Sequence, residues 1–272
     1  MSDQQPRLSA FIVAYNRPHI LAACIKAARF TDELIVIDKS EGLANIGAAV
    51  GAADRVVSAP WSPTVEESRA GALARTTGDW ILALDDDEIL SPACGEAFRA
   101  AIAGDQADVW TVPMRHYVLG RHDERAEYWP EFRPCLFRRG AVTFGPTVHR
   151  GVNVQPGARK KSFETGGPVF IQHLSHENIS TWIEKTNRYT DQRDRIGVHP
   201  KGGSLIDFAI NALVVRAARA RAYSRDKGGD YLEAVAVLKG LYDIVDGLKR
   251  WEEDQPDGAA EFAKICEEVM AR

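Results

Sequence analysis

Residues Trp80 to Leu90 read WILALDDDEIL. An apolar run, Ile81 to Leu84, ends in Asp85, Asp86, Asp87 and Glu88, so four carboxylates stand in succession. Like charges side by side repel, and each loses hydration where a buried strand delivers them, so the cluster calls for compensating cations. Carboxylates two apart on an extended segment project the same way, which lets Asp85 and Asp87 address one site. Hard divalent cations such as Mg²⁺ or Mn²⁺ take oxygen ligands, commonly one or two carboxylates completed by phosphate oxygens. The alternative is structural: a turn, a helix cap, or partners for arginines.

Outward from this stretch, short apolar runs alternate with helical patterns. LSAFIVAY reads as a buried strand. RPHILAACIKAARF reads as a helix with Pro18 in its first turn and Ile20, Leu21, Cys24, Ile25 and Ala28 on one face. ELIVID and DRVVSA read as strands, and TVEESRAGALARTTGD as a helix ending near Gly78. Strands alternating with helices predict a parallel sheet covered on both faces, with ligands beyond the carboxyl ends of its strands. Three of those ends are polar: Tyr15-Asn16-Arg17, Asp38-Lys39-Ser40 and Asp85-Asp86-Asp87.

The chain has 272 residues, a formal charge of −4 and 45% hydrophobic content, enough for one large domain or two halves sharing a core. Its near balance of charge implies no general affinity for polyanions. The four cysteines are scattered without a C-x-x-C pair, which suits a reducing cytosol. MSDQQPRLSA lacks the apolar core of a signal peptide, and no apolar run approaches the ~18 residues of a membrane span. A cytoplasmic location is expected, with peripheral contact at the inner face of the membrane left open.

The middle, from about Asp108 to His199, is strand- and loop-rich and holds His116, His122, His149, His173 and His176. From Arg133 through Lys161 there are seven basic residues and no acid. Such a run is either a solvated surface or a docking place for an anionic partner. Beyond GVHPKGGS, Leu205 to Arg225 and Tyr231 to Trp251 read as helices, followed by a terminal helix from Ala259. Leu205, Ile206, Phe208, Ala209, Leu213 and Val214 form an expected core-facing stripe. The alternative is a membrane-facing helix, its arginines Arg216, Arg219 and Arg225 toward anionic lipid.

FIVAYNRP, LIVIDKSEG, RAGALARTTGDWILALDDDE and CLFRRG followed by VHRGV, in this order, resemble family 2 glycosyltransferases of the GT-A fold. The resemblance is nearest to the subgroup that includes lipopolysaccharide-core glucosyltransferases, and it covers nearly the whole chain. It extends to FIQHLSHENISTWIEKTNRYT and to RDKGGDYLEAVAVLKGLYDIVDGLKRWEE. It implies a donor half over residues 1–110, an acceptor half over 111–200 and a helical extension over 201–272. It also implies a nucleoside-diphosphate-sugar donor, and a UDP-sugar in particular.

By that resemblance, Ala14, Tyr15 and Arg17 would border the nucleotide base, and Asp38 would accept a hydrogen bond from it. Asp38 could instead cap a helix. Arg69 would approach the sugar or diphosphate, or else pair with Asp85. Asp85 would touch ribose or metal, Asp86 would hold the variable middle place, and Asp87 would be the principal ligand of Mg²⁺ or Mn²⁺. Glu88 would stand behind them. His173, after the apolar run PVFIQ, could complete the metal shell or meet diphosphate or acceptor; as a lone strand-end histidine it could also be structural.

Two departures bear on catalysis. The subgroup has His-Glu where this chain has His149-Arg150, and that glutamate is its expected base; its RLFR stands here as Cys135-Leu136-Phe137-Arg138. A base must accept the acceptor hydroxyl's proton, which Arg150 cannot do. His149 and Glu131 are the candidates for that role. The resulting expectation is a metal-dependent, inverting transfer to an anionic acceptor such as a lipopolysaccharide core or lipid-linked glycan. A nucleic-acid acceptor fits the basic run alone. A nucleotide-sugar-binding protein that has lost catalysis is the competing expectation, motivated by Arg150. A nucleotidyltransferase would show a glycine- and arginine-rich loop after its first strand, and AYNRPHI lacks one.

Overall fold

A strand covered on both faces needs an unbroken apolar run, and β1 (Leu8–Ala14) supplies one in which every residue is buried. The computed structural model describes residues 5–42, 46–62, 65–145, 151–191 and 203–270. After β1 come α1 (Pro18–Ala28), β2 (Glu33–Asp38), β3 (Arg55–Ser58), α2 (Glu66–Leu73) and β4 (Trp80–Asp85). In α1, Pro18 occupies the first turn and Ile20, Leu21, Cys24, Ile25 and Ala28 are the buried face, as their helical spacing dictates. The helix α2 is shorter than its sequence pattern. The Thr76 hydroxyl donates to the Leu73 carbonyl at 2.7 Å, closing the last turn. Gly78 serves a different purpose: a Cβ there would lie 2.7 Å from Ser9 Oγ and 2.8 Å from the Arg7 carbonyl.

The strands β1, β2, β3 and β4 pair in parallel in the order β3-β2-β1-β4. Alternate side chains serve opposite faces of this sheet. Ala10, Ile12, Val36, Leu82 and Leu84 pack with α1, while Phe11, Val13, Ile35, Ile37, Ile81 and Ala83 pack with Ala72 of α2. The chain leaves β1 for β2 on one side and returns to β4 on the other, so the order reverses between β1 and β4. A crevice at such a reversal is where open α/β sheets bind ligands.

The next elements are β5 (Glu88–Leu90), α3 (Cys94–Ala103), β6 (Val109–Val118), β7 (Glu131–Arg138), β8 (Val142–Phe144), β9 (Val152–Val154), β10 (Lys160–Ser162), β11 (Ile171–His176) and α4 (Ile179–Thr190). Here the sheet is mixed rather than parallel throughout. β7 is antiparallel to both β4 and β6, β11 is parallel to β6, and β5 is antiparallel to β11. The complete order is β3-β2-β1-β4-β7-β6-β11-β5, with β10 beside β6; β8 and β9 form a separate hairpin.

By contacts the chain divides into two compact units, Met1–Lys185 and Thr186–Arg272. The second contains α5 (Leu205–Arg221), α6 (Gly229–Glu252) and α7 (Gly258–Met270). The apolar stripe of α5 is divided rather than wholly core-facing. Phe208 and Leu213 lie against α6 at Gly247 and Gly240, but Leu213 is still partly open to solvent, and Ile206 and Val214 are more exposed. The helical period explains the division. Phe208, Ala212, Arg216 and Ala220 recur every four residues, Ala212 and Ala220 are buried, and Arg216 meets Asp243 of α6 at 2.6 Å. Among the described residues no helix is long and apolar enough to cross a membrane.

Candidate active site

The strand β4 ends at Asp85, so Asp86 and Asp87 lie in a turn before β5. The alternation that sends residues two apart in one direction therefore does not extend to Asp87, whose direction the turn sets. Each carboxylate of the cluster meets a cation. Asp85 Oδ2 accepts from Arg69 at 2.6 Å and from Arg133 at 3.1 Å. Arg17 bridges Asp86 and Asp87, donating to Asp87 Oδ2 at 2.8 Å. The same Asp87 oxygen lies 3.5 Å from His173 Nε2 and 3.6 Å from Lys185 Nζ. Glu88 is fully buried, pairs with Arg133 and accepts the Asp85 backbone N–H at 2.9 Å.

These contacts explain how a strand end can carry four acids. Burial alone would raise their protonation constants. For Asp87, His173, Arg17 and Lys185 more than offset burial and hold the carboxyl well below the usual range. For Asp85, Arg133 and Arg69 likewise offset burial and lower the carboxyl from its usual range. In Asp86 burial prevails over Arg17, and the group is pushed up to about 6.

Arg133 comes from β7, which pairs with β4, so sheet topology brings it to the acids. Removing it leaves Glu88 buried without its cation. Arg133→Ala is therefore expected to lower stability by about 3–5 kcal/mol, the usual cost of breaking a buried pair from one side. Denaturant unfolding measures this, and adding Glu88→Gln should recover part of the loss.

Around the β1 end, the Tyr15 backbone N–H donates to Asp86 Oδ2 at 2.8 Å, and the Asn16 N–H donates to Ser40 Oγ at 2.9 Å. Asn16 has φ 51°, a left-handed conformation that asparagine tolerates. Ala14 is buried, pairs with Asp38 across β1 and β2, and its carbonyl accepts from the Lys39 N–H. Asp38 is buried, and its Oδ1 accepts the Ser40 N–H at 2.8 Å, stabilising a turn rather than a helix. Its Oδ2 is buried with no hydrogen-bond partner among the described residues. A cavity of about 250 Å³ opens on the α2 side, lined by Ile37, Trp61, Ser68 and Arg75 among others, and by none of the acid cluster.

His173 on β11 sits in register with His116 of β6 on one side and Glu88 of β5 on the other. The Nδ1 atoms of His173 and His116 are 2.9 Å apart, and His116 Nε2 is 3.0 Å from Glu131 Oε2. His176 stacks on Trp182 with ring centroids 4.3 Å apart. Burial, then Lys185, pushes its imidazole down to about 3, so it is neutral. His149 and Arg150 lie outside the described residues.

The site thus gathers Arg17, Arg69, Asp85, Asp86, Asp87 and His173, with Asp38 across the β1 end. His116, Arg133 and Lys185 join it without having been singled out as site residues from sequence. Within the basic run, Arg138 and Arg159 pair with Asp105 and Asp108, and Lys161 donates to Gln106.

The acid cluster offers a hard divalent cation only part of a donor set. Asp85 Oδ1 is buried with no hydrogen-bond partner among the described residues, and an imidazole nitrogen stands beside the Asp87 carboxylate. Among the described residues no group of three or more acids, histidines or cysteines is arranged to hold a metal. Diphosphate oxygens would have to complete its shell, which is how Mg²⁺ is commonly bound.

Residues 9–167 match the family described as Glycosyl transferase family 2. The chain belongs to that family. The matched span includes Asp38, Arg69, the acid cluster, His116 and Arg133, and stops before His173 and Lys185. Among similar proteins of this glycosyltransferase is "Lipopolysaccharide core biosynthesis glycosyltransferase LpsC" of Rhizobium meliloti. It is 27% identical over 212 residues, covering 73% of this chain and 76% of that protein. An uncharacterized glycosyltransferase of Rickettsia conorii is 24% identical over 218 residues, covering 77% of this chain and 76% of its own. A solved structure of S. aureus TarS 1–349 in complex with UDP-GlcNAc is similar with a TM-score of 0.46 and 12% identity. It covers 88% of this chain and 89% of that one.

Proposed function

We propose that this glycosyltransferase is metal-dependent and inverting, and that it moves a sugar from a UDP-sugar to an anionic glycan or glycolipid such as a lipopolysaccharide core. The single observation that carries the donor assignment is Asp38 Oδ2, a buried acceptor at the β2 end with no hydrogen-bond partner among the described residues. A buried acceptor left unmatched costs about 1–3 kcal/mol, so its natural complement is a donor brought by the ligand. The N3–H of uracil is such a donor. Residues 1–110 form the donor half in this proposal, 111–200 the acceptor half and 201–272 an extension.

Asp85, Asp87 and His173 would hold Mg²⁺ or Mn²⁺, which when bound supplies positive charge to the leaving diphosphate. Arg17 and Lys185, both near Asp87 Oδ2, add fixed positive charge on the same side. A separate base takes the proton of the acceptor hydroxyl, so that a single displacement inverts the sugar carbon; we assign it to His149. The acceptor class draws on the similarity to LpsC. The basic run lends it less support, because Arg133, Arg138, Arg139 and Arg159 have internal partners.

The test is transfer and donor hydrolysis across a panel of nucleotide sugars, with and without Mn²⁺. Turnover confined to a uridine donor and dependent on the cation is the expected result. Metal-independent turnover would remove the metal from the proposal, and preference for a guanosine donor would remove Asp38's role. Arg150 in the place of the family's glutamate favours a second reading, a nucleotide-sugar-binding protein without catalysis. Donor binding with no turnover toward any acceptor would establish it.

A further inference from the structure

We infer that the outward face of α5 is a docking surface for α7 of a second copy of this chain, so that two copies exchange their last helices. Phe208 and Arg216 of α5 meet α6 at Gly247 and Asp243, with buried Ala212 between them. Ile206, Ile210 and Val214 form a second row, offset from the first by two residues. Two residues are about 200° of an α-helix, so this row points away from α6. All three side chains are exposed, Ile206 to 72%. Large apolar groups aligned on one exposed face mark a place for a partner.

The helix α7 carries the matching half. Phe262, Ile265, Val269 and Met270 recur at helical spacing along one side, and all are exposed, Phe262 to 70%. No residue of this 13-residue helix is buried. An isolated helix of such length is marginal in water and takes its stability from packing an apolar face, so α7 needs a surface to lie on.

Charge pairs the two faces. Residues 205–225 contain Arg216, Arg219, Arg221 and Arg225 against one acid, Asp207, whereas α7 has Glu261, Glu267 and Glu268 against one base, Lys264. Arg221, seven residues beyond Val214, lies on the side of the outward apolar row. Glu261 and Glu268, seven apart, follow one edge of the apolar face of α7. Complementary charges of this kind set partner and register more than affinity. An anionic lipid surface would attract the arginines but repel the acidic helix, and a second copy satisfies both.

The chain's own α7 does not reach this face. Phe208 lies at Gly247 and Leu213 at Gly240, so α6 runs antiparallel to α5 and ends beside its start. From there α7 would have to pass round α5 to its far side, roughly 16–20 Å away at ordinary helix spacings. Five residues connect α6 to α7. Three of them, Glu253, Asp254 and Gln255, are held in turns by N–H bonds to the Lys249, Trp251 and Glu252 carbonyls. The two that remain cross only about 7 Å when extended. A second copy has no such tether, and a two-fold axis forms the α5–α7 contact twice.

Sedimentation equilibrium of the full-length protein, a chain of 30.0 kDa, should find a dimer that dissociates on dilution. Ile210→Glu and Phe262→Glu each alter an exposed side chain and should leave the circular dichroism unchanged. Each change occurs in both contacts, and should raise the dimer dissociation constant by at least roughly 100-fold. Cys266 is exposed on α7. On oxidation, Ile210→Cys or Val214→Cys should form an interchain disulfide that Cys266→Ser abolishes.

A monomeric wild type overturns the inference, as does a dimer of wild-type strength in either Glu variant. So does the absence of a Cys266-dependent interchain bond at both cysteine positions. An intrachain bond would give the face to the chain's own α7. Flotation of a monomeric wild type with anionic vesicles, lost in Ile210→Glu, would give it to lipid. Either result overturns the inference as well.

Discussion

Asp87→Ala is expected to abolish Mn²⁺-dependent donor binding and to lower turnover by at least roughly 10²–10³-fold, the usual loss when a group that stabilises developing charge is removed. Asp87 is where basic side chains converge: Arg17, His173 and Lys185 all face its Oδ2. From sequence, removing one of four adjacent acids promises relief of repulsion and a slightly more stable protein. The contacts reverse that sign. Asp87 is buried among cations, and its removal leaves them to repel one another. A loss of about 1–3 kcal/mol is the appropriate scale for a hydrogen bond to a charged group. Asp86→Ala is the control. Asp86 holds the Tyr15 N–H and Arg17, so its loss should loosen the β1 end while donor binding keeps its dependence on Mn²⁺. Calorimetry with donor and Mn²⁺ compares the two. Equal binding by both variants would defeat the assignment of Asp85 and Asp87 as ligands.

The difference between these two views of Asp87 marks what a sequence makes legible. Strands buried on both faces write themselves as apolar runs, and α1 writes its buried face at helical spacing, so β1, β2, β4 and α1 are readable locally. Their order then places the polar ends of β1, β2 and β4 together by topology. What the chain does not write locally is which cation meets which acid. Arg133 reaches Glu88 across 45 positions and His116 meets His173 across 57, and no periodicity couples residues so far apart.

The basic run shows the same limit from the other side. Its arginines look like a surface for an anion until Asp105 and Asp108, outside the run, are seen to receive two of them. The antiparallel insertion of β7 between β4 and β6 escaped for a related reason: a short apolar strand has the same appearance in either direction. That insertion is what carries Arg133 to the acids.

His149→Ala is expected to lower kcat by roughly 10²–10⁴-fold, the range for a lost general base, with donor affinity little changed. The acids of the β4 end cannot take this role, because in the proposed mechanism they serve the leaving diphosphate, while the acceptor attacks from the opposite face of the sugar. Of the two remaining candidates, Glu131 lies 3.0 Å from His116 Nε2, where its charge is directed at the imidazole. By the resemblance in sequence, His149 stands next to the position that would hold a glutamate in the subgroup and holds Arg150 here. Arg150→Glu, which returns a carboxylate to that position, should then raise activity in the His149→Ala background by restoring an acceptor for the proton. The two candidates separate in steady-state kinetics. If His149 is the base, Glu131→Gln should leave kcat at saturating Mn²⁺ close to wild type. If Glu131→Gln is inactive at saturating Mn²⁺ while His149→Ala keeps near-full turnover, the proton goes to Glu131 and the assignment to His149 fails.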